Sequence, residues 1–325
     1  MIDSFNRQID YLRISVTDRC NLRCRYCMGE EGLPLTTHDK ILTYDEIVRV
    51  AKAAASLGIS KIRITGGEPL VRKNVDVLIK QLKHIDGIED VFLTTNGVLL
   101  ADQLDKLIEA GVGSINVSLD TINAKAYNFI TRRDEHENVI KAIKAAVNKG
   151  LLVKINAVLT AYDEQRPEDV LLLAEKLPIH IRYIEQMPLG FGKSENGISS
   201  HKMMRRIRNM PQISGRKIKR INAKIGAGSA EYYEIEGFRG YLGFISPMSH
   251  TFCGECNRLR LTSEGELKPC LYSNEGIELR AKLRTGCMES ELKEMIKTAI
   301  LTKPKAHKFS EDEAQGVYSM AKIGG

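Results

Sequence analysis

Tryptophan is absent from the 325 residues, and aromatic residues make up only 6% of the chain. A protein that holds single-stranded nucleic acid by stacking its bases needs more ring faces than this. Uncharged apolar runs of membrane-spanning length are also missing, and the first ten residues, MIDSFNRQID, lack the apolar centre of a signal peptide. These two absences set a soluble, cytoplasmic protein as the expectation. A disulfide framework is missing as well: the seven cysteines are odd in number and fall in two clusters plus Cys287, whose expected role is none. Clustered thiols in a reducing compartment point to metal. No strong charge excess stands out, since a formal charge of +7 fits either an anionic partner or plain solubility.

What the chain does have, from residue 11 to about 187, is alternation. Short β-rich runs begin at Tyr11 (YLRISV), Lys61 (KIRIT), Val91 (VFLTT), Ser114 (SINVSL), Val153 (VKINAVL) and His180 (HIRYIE). Each is mostly apolar and β-branched, as buried parallel strands are. Helical patterns lie between them. The clearest starts at Thr43, where Thr43 and Glu46 suit a capping box, Ile47, Val50, Ala51, Ala54 and Leu57 share one face, and Gly58 stops the run. Pro167 stands where a first helical turn begins. The pattern predicts an α/β fold with a parallel sheet, either an open doubly wound sheet or a barrel.

After Met187 the rhythm breaks. GFGKSENGISS reads as loop, HKMMRRIRNM as a short basic helix, and Tyr232 to Met248 as one or two strands. RLRLTSEGELKPCL reads as a hairpin turning at Glu264-Gly265. The expected division is 1–190 and 191–325.

Both cysteine clusters count to three. Cys20, Cys24 and Cys27 form CNLRCRYC, with three and then two intervening residues; Cys253, Cys256 and Cys270 have two and then thirteen. Structural zinc usually takes four Cys or His ligands, and no histidine stands at finger spacing, although His250 keeps zinc open for the second group. A four-iron cluster also normally takes four thiolates. Given three, it keeps an open iron, which is of no use to a scaffold but able to bind a molecule.

CNLRCRYC, with Tyr26 before its last cysteine, resembles the cysteine motif of the radical S-adenosylmethionine (SAM) enzymes. Thr65-Gly66-Gly67-Glu68-Pro69 is similar to the glycine-rich segment of that family which contacts the methionine moiety. CGECNRLR from Cys253, then Cys270, and the ending Ile323-Gly324-Gly325 narrow the resemblance to the GTP 3',8-cyclase family of molybdenum cofactor biosynthesis, from about residue 9 to the last residue.

That resemblance implies a partial (β/α)6 TIM-type barrel and a smaller carboxy-terminal region, two [4Fe-4S] clusters held by the six cysteines, and SAM on the first cluster's open iron. It implies SAM contacts from Tyr26, Gly67, Ser118 and Met187, and reductive cleavage of the sulfonium to a 5'-deoxyadenosyl radical that takes hydrogen from ribose C3' of GTP. GTP contacts carried over are Arg13, Arg63, Thr94, Lys154, Arg182, Arg258, Leu259 and Arg260, with the guanine edge on the second cluster. Arginine forks suit phosphate oxygens, and like charges inside a barrel need an anion to hold them there. Arg258 and Arg260 are expected to share one turn, and Asn156 to face the same side as Lys154. The hard chemistry belongs to the cofactors, so no side chain is expected as acid or base.

Further implications are a tail that enters the pocket, a homodimer, a reductant such as ferredoxin or flavodoxin, and cyclic pyranopterin monophosphate synthase as the downstream partner. Two other readings stand beside this one: a two-cluster radical enzyme maturing a peptide or small molecule, and a zinc-binding nucleic-acid module. Neither nucleic acid nor membrane is an expected partner of the leading reading.

Overall fold

A computed structural model describes the chain except residues 35, 163, 192–196, 223–224, 226–227, 274, 308, 310–319 and 325, and the side chains of 321 and 322. Twelve strands are found among the described residues: β1 (Tyr11–Ser15), β2 (Lys61–Thr65), β3 (Asp90–Thr95), β4 (Ser114–Ser118), β5 (Leu152–Leu159), β6 (His180–Glu185), β7 (Ile218–Ile221), β8 (Glu231–Ile235), β9 (Leu242–Ile245), β10 (Arg258–Leu261), β11 (Glu266–Lys268) and β12 (Ile277–Glu278). The first six are the strands expected from the sequence. All twelve join one sheet in the order β12-β11-β10-β1-β2-β3-β4-β5-β6-β9-β8-β7.

Strands β1 to β6 run parallel in chain order, each followed by a helical crossover. Leu12, Ile14, Ile62, Ile64, Val91, Leu93, Ile115 and Val117 pack under the helices in one buried core, while the residues alternating with them face inward. The helix at Tyr44–Ser56 starts as expected: Thr43 Oγ1 accepts from the Glu46 amide at 3.2 Å and Glu46 Oε2 from the Thr43 amide at 2.7 Å. The segment after Pro167 departs from the expected helix. It winds as a 3-10 helix over Pro167–Leu172 and only then as one α-turn, Leu173–Lys176, with the Tyr183 hydroxyl donating to the Pro167 carbonyl at 2.7 Å.

The chain after residue 190 is woven into the same sheet. Strand β9 adds parallel to β6 and β10 adds parallel to β1, so two consecutive strands lie at opposite edges of the parallel block. The basic segment forms the helix Ser200–Arg208, and the Tyr232–Met248 stretch contributes the antiparallel pair β8 and β9. The β10–β11 hairpin turns through Ser263-Glu264-Gly265 with Gly265 at φ +89°, a left-handed position that glycine takes without a Cβ clash. No described helix is long and apolar enough to cross a membrane.

Candidate functional site

The inward faces of β1 to β6 border one cavity of about 290 Å³, and the first cysteine triplet, Cys20, Cys24 and Cys27, lines one end of it. The triplet loop is fastened on both sides. The amides of Arg23 and Arg25 donate to the carbonyls of Thr131 and Ile130 at 2.9 Å each, where the helix Ala124–Thr131 ends. The Arg132 guanidinium donates to the Arg23 carbonyl at 2.7 Å, and the Cys27 and Met28 amides both reach the Cys24 carbonyl, coiling the motif into a turn.

On the other side stands Gly66-Gly67-Glu68. The Gly67 amide donates to the Thr17 carbonyl at 2.7 Å and the Glu68 amide to the Arg19 carbonyl at 2.8 Å. A Cβ on Gly67 would lie 2.3 Å from the Arg19 carbonyl oxygen, so this glycine, besides lining the cavity, is required by the close approach of the cysteine loop. Glu68 is buried, and its carboxylate accepts from the Leu70 amide at 3.0 Å, the Thr95 hydroxyl at 2.7 Å and the Asn96 amide at 2.6 Å. Burial pushes its pKa up to about 7 against the pull of those donors. Asn96 continues the line, donating to Asn21 Oδ1 at 2.7 Å and to Cys20 Sγ at 3.8 Å.

Tyr26, Gly67, Ser118 and Met187 all line the cavity. The Tyr26 hydroxyl donates to Asp120 Oδ2 at 2.8 Å, and Asp120 Oδ1 accepts from the Val158 amide at 2.8 Å, so the ring is drawn back against β5. Burial raises Asp120 to about 6.

Arg13, Arg63, Thr94, Lys154, Arg182, Arg258 and Arg260 line the same cavity. In register, Arg13 stands between Arg63 on β2 and Arg260 on β10, which makes a row of three guanidinium groups, and Lys154 stands level with Asn116 and Thr94. Arg63 is held by Tyr11, by the Leu93 carbonyl at 3.1 Å and by Thr94 Oγ1 at 3.4 Å. Burial lowers the pKa of Lys154 to about 7, with Arg182 and Arg63 adding repulsion. The Arg182 guanidinium meets the Tyr232 hydroxyl, and its Nε and Nη2 atoms are buried with no hydrogen-bond partner among the described residues. Asn156 lines the cavity on the Lys154 side, as the alternation predicted. The same alternation in Ser114-Ile-Asn116-Val-Ser118 marks Asn116, which the sequence reading passed over although it too lines the cavity, with its Oδ1 buried and without a partner among the described residues.

Arg258 and Arg260 share a face by strand alternation, not by a turn. Leu259, between them, points the other way into the core, fully buried, and is not among the lining residues. Arg258 donates to Ser229 Oγ at 2.8 Å and lies over the Phe252 ring. Arg260 donates to the Gly324 carbonyl at 2.6 Å. Gly324 has φ +79°, and a Cβ there would lie 2.1 Å from Thr65 Oγ1, so the tail reaches the cavity wall through a glycine; Gly325 lies outside the described residues.

The second triplet's Cys253 and Cys256 precede β10, which runs parallel to β1, whereas the first triplet follows β1, so the two loops leave opposite ends of neighbouring strands. Phe252, Arg258 and Leu271, close in the chain to Cys253, Cys256 and Cys270, line the cavity; these three cysteines are not among its lining residues. Lys303 reaches into this loop cluster, donating to the Arg258 carbonyl at 2.8 Å, to the Pro269 carbonyl at 2.6 Å and to the Cys256 thiol. Arg7 is buried in an ion pair with Asp3 and donates to the Cys253 carbonyl at 2.9 Å. His250, open as a fourth ligand, is 78% exposed and faces Glu231 at 3.9 Å. Cys287 is buried in the core beside Arg49.

Among the described residues no three His, Cys, Asp or Glu side chains converge closely enough to hold a single ion. A four-iron cluster wants a wider spacing, because each thiolate binds its own iron. The donor set of each triplet, three thiols with no histidine drawn in, fits such a cluster. Burial raises the Cys20 thiol to about 11 and also holds the Cys24 thiol well above the usual thiol range, so both favour the positive charge of bound metal when they become thiolates.

Residues 14–177 match the Radical SAM superfamily, and residues 179–309 match Molybdenum Cofactor Synthesis C. The chain is 44% identical over 328 residues to a GTP 3',8-cyclase of Clostridium perfringens and 43% identical over 329 residues to one of Moorella thermoacetica, covering 100% of both partners in each case. Among solved structures it resembles Streptococcus suis SuiB bound to its precursor peptide SuiA, with a TM-score of 0.60 at 17% identity, covering 96% of this chain and 67% of that one. At that identity the likeness speaks for the fold alone.

Proposed function

The chain belongs to the GTP 3',8-cyclase family of radical SAM enzymes, and on that premise we propose that its cationic cavity holds GTP between SAM on the first triplet and an iron–sulfur cluster on the second. It is a cyclase of molybdenum cofactor synthesis that uses SAM and two [4Fe-4S] clusters. The product in our reading is (8S)-3',8-cyclo-7,8-dihydroguanosine 5'-triphosphate. The observation that carries it is one cavity lined by the first thiol triplet, bordered elsewhere by the chain neighbours of the second, with a row of arginines on its wall.

Cys20, Cys24 and Cys27 would hold one cluster, and Cys253, Cys256 and Cys270 the other. When bound, these groups supply one-electron chemistry, with cleavage of the SAM sulfonium and removal of a ribose hydrogen. The protein's own work is placement. Tyr26, Gly67, Ser118 and Met187 would receive SAM, with the Tyr26 ring held off by Asp120. Arg13, Arg63, Lys154, Arg182, Arg258 and Arg260 would receive the triphosphate and the base edge, and Thr94 a further polar contact. A triphosphate satisfies at once the unpartnered Arg182 nitrogens and the mutual repulsion of the arginine row. Leu259 would serve by filling the core behind the strand that presents Arg258 and Arg260. Correct placement matters here because an alkyl radical is unselective, and geometry alone decides which hydrogen it takes.

The family assignment replaces the zinc-binding nucleic-acid reading, and a cavity ringed by cations favours a small polyanion over a peptide. We place the functional division at 1–190 and 191–325, and propose a cytoplasmic homodimer that draws electrons from a ferredoxin or flavodoxin and hands its product to cyclic pyranopterin monophosphate synthase. Reconstituted protein incubated anaerobically with SAM, GTP and reductant should form 5'-deoxyadenosine and a cyclised nucleotide in equal amounts. Formation of 5'-deoxyadenosine that ignores GTP, with no cyclised nucleotide, would sink the reading.

A further inference from the structure

The two triplets sit in different electrostatic surroundings, the first with carboxyls nearby and the second with cations. Around Cys20 and Cys24 the nearby ionisable groups include the carboxyls of Glu68 and Asp120 and, as the weaker influence on Cys20, the Arg23 guanidinium, which is engaged by the Cys20 and Leu22 carbonyls; the amide of Asn96 is the side-chain donor to sulfur. Around Cys256 they are Lys303 and Arg258. Arg7, beside Cys253, has its charge matched by Asp3 at 2.6 Å, whereas Lys303 is 3% exposed and gives its ammonium to two carbonyls and the Cys256 sulfur, with no carboxylate partner among the described residues.

A buried ammonium without a counter-ion is unfavourable until an anion arrives beside it. A four-iron cluster on three thiolates is such an anion, and it gains a further negative charge on reduction. Charge and hydrogen bonds at the sulfurs are among the levers that set cluster potentials. Lys303 also bridges the start of β10, at Arg258, to the residue before Cys270, so one side chain braces the segments that carry two of the three cysteines.

We propose that Lys303 is a positioning residue for the second cluster: it fixes Cys256 relative to Cys270 and makes this cluster easier to reduce than the first. This rests on the reading that Cys253, Cys256 and Cys270 hold a cluster, which iron content checks separately. Parent protein loading only one cluster's worth of iron would end that reading before Lys303 is tested.

With both clusters loaded, the test is a redox titration followed by electron paramagnetic resonance on the full-length holoprotein. The signal perturbed by SAM is assigned to the first cluster and the one perturbed by GTP to the second. The GTP-sensitive signal should appear at the higher potential. Lys303→Met should move it to lower potential and leave the SAM-sensitive signal in place, and Lys303→Arg should restore most of the shift. A GTP-sensitive signal that titrates with or below the other in the parent, or one that does not move in a fully loaded Lys303→Met protein, overturns the proposal. If Lys303→Met loads only one cluster, Lys303→Arg decides. Two clusters with the parent order of potentials support the proposal; no recovery of the second cluster, or a reversed order, overturns it.

Discussion

Lys154 carries a proton whose fate differs between the empty and the filled cavity. Burial and the facing Arg182 and Arg63 hold its pKa near 7, Asp90 pulls weakly the other way, and His180, on the next strand, is itself driven down to about 4. Between about 7 and 10.4 the unfolded chain therefore holds one proton more at this site than the folded chain, so the ligand-free protein should gain stability as pH rises through that window. GTP binding should run the opposite way, because the triphosphate wants the ammonium. Above pH 7.5, the apparent Kd for GTP should rise by up to about tenfold per pH unit, and Lys154→Arg should flatten that slope. A slope unchanged in Lys154→Arg, measured by titration calorimetry at several pH values, would contradict the assignment.

Arg260→Ala should raise KM for GTP on the order of tenfold or more while both clusters stay loaded, since it removes a charged donor and no ligand. Loss of iron in that variant would count against it. Cys287→Ala should cost about 1 kcal/mol of stability and no iron, because this thiol is buried in the main hydrophobic core.

Among the elements, the join between the turn after β2 and the cysteine loop leaves no room for a side chain. Gly67→Ala places a methyl 2.3 Å from a backbone oxygen that no rotamer can move. The expected cost is about 3 kcal/mol, with loss of the first cluster before the second, read as about half the parent iron content. Retention of both clusters in Gly67→Ala would show that the loop has room to shift. The six strands of the repeat were legible in the sequence because β-branched runs bounded by glycine and polar residues have few other uses. The cationic lining was legible too, since period-two alternation fixes which side chains turn inward. Asn116 escaped because an asparagine in a strand carries no charge to draw attention, though its position obeyed the same rule. The segment after Pro167 was read as α-helix from its apolar run, and it winds more tightly where Val170 and Leu171 are buried under the sheet. Arg258 and Arg260 were found for the wrong geometric reason: strand and turn both bring residues two apart together, and only the register on β1 tells them apart.

At the scale of the molecule, the residues after 190 are the sheet's own rims. Strand β9 covers the outer edge of β6 and β10 covers that of β1. A protein cut after residue 190 would expose both edges of a hydrophobic parallel sheet, and should aggregate on expression. A monodisperse monomer with native far-ultraviolet dichroism from that fragment would show otherwise. Nothing in the sequence announced this closure, because pairing between strands about sixty residues apart, as for β6 and β9, or more than two hundred apart, as for β1 and β10, leaves no local pattern in either. The tail differs: by itself Gly324 reads as a frayed end, and only the family resemblance pointed it toward the pocket, where its carbonyl accepts from Arg260.

Only thirteen peptide units separate Ile245, at the end of β9, from Arg258, at the start of β10, and these strands stand at opposite edges of eight parallel strands. Fully stretched, that link reaches about 45 Å, and the seven strand spacings alone would take about 34 Å in a flat sheet. Because the link also folds back at Ser246–His250, where the His250 amide meets the Ser246 carbonyl, and winds a turn over Cys253–Glu255, it loses roughly 10 Å or more of that reach; there is too little length for a flat sheet, and the strands must curl toward each other. The short link is therefore a drawstring, and two cysteines of the second triplet are tied into it. Oxidative loss of iron there should slacken the drawstring and turn chemical damage into a loosened seam that a protease can find.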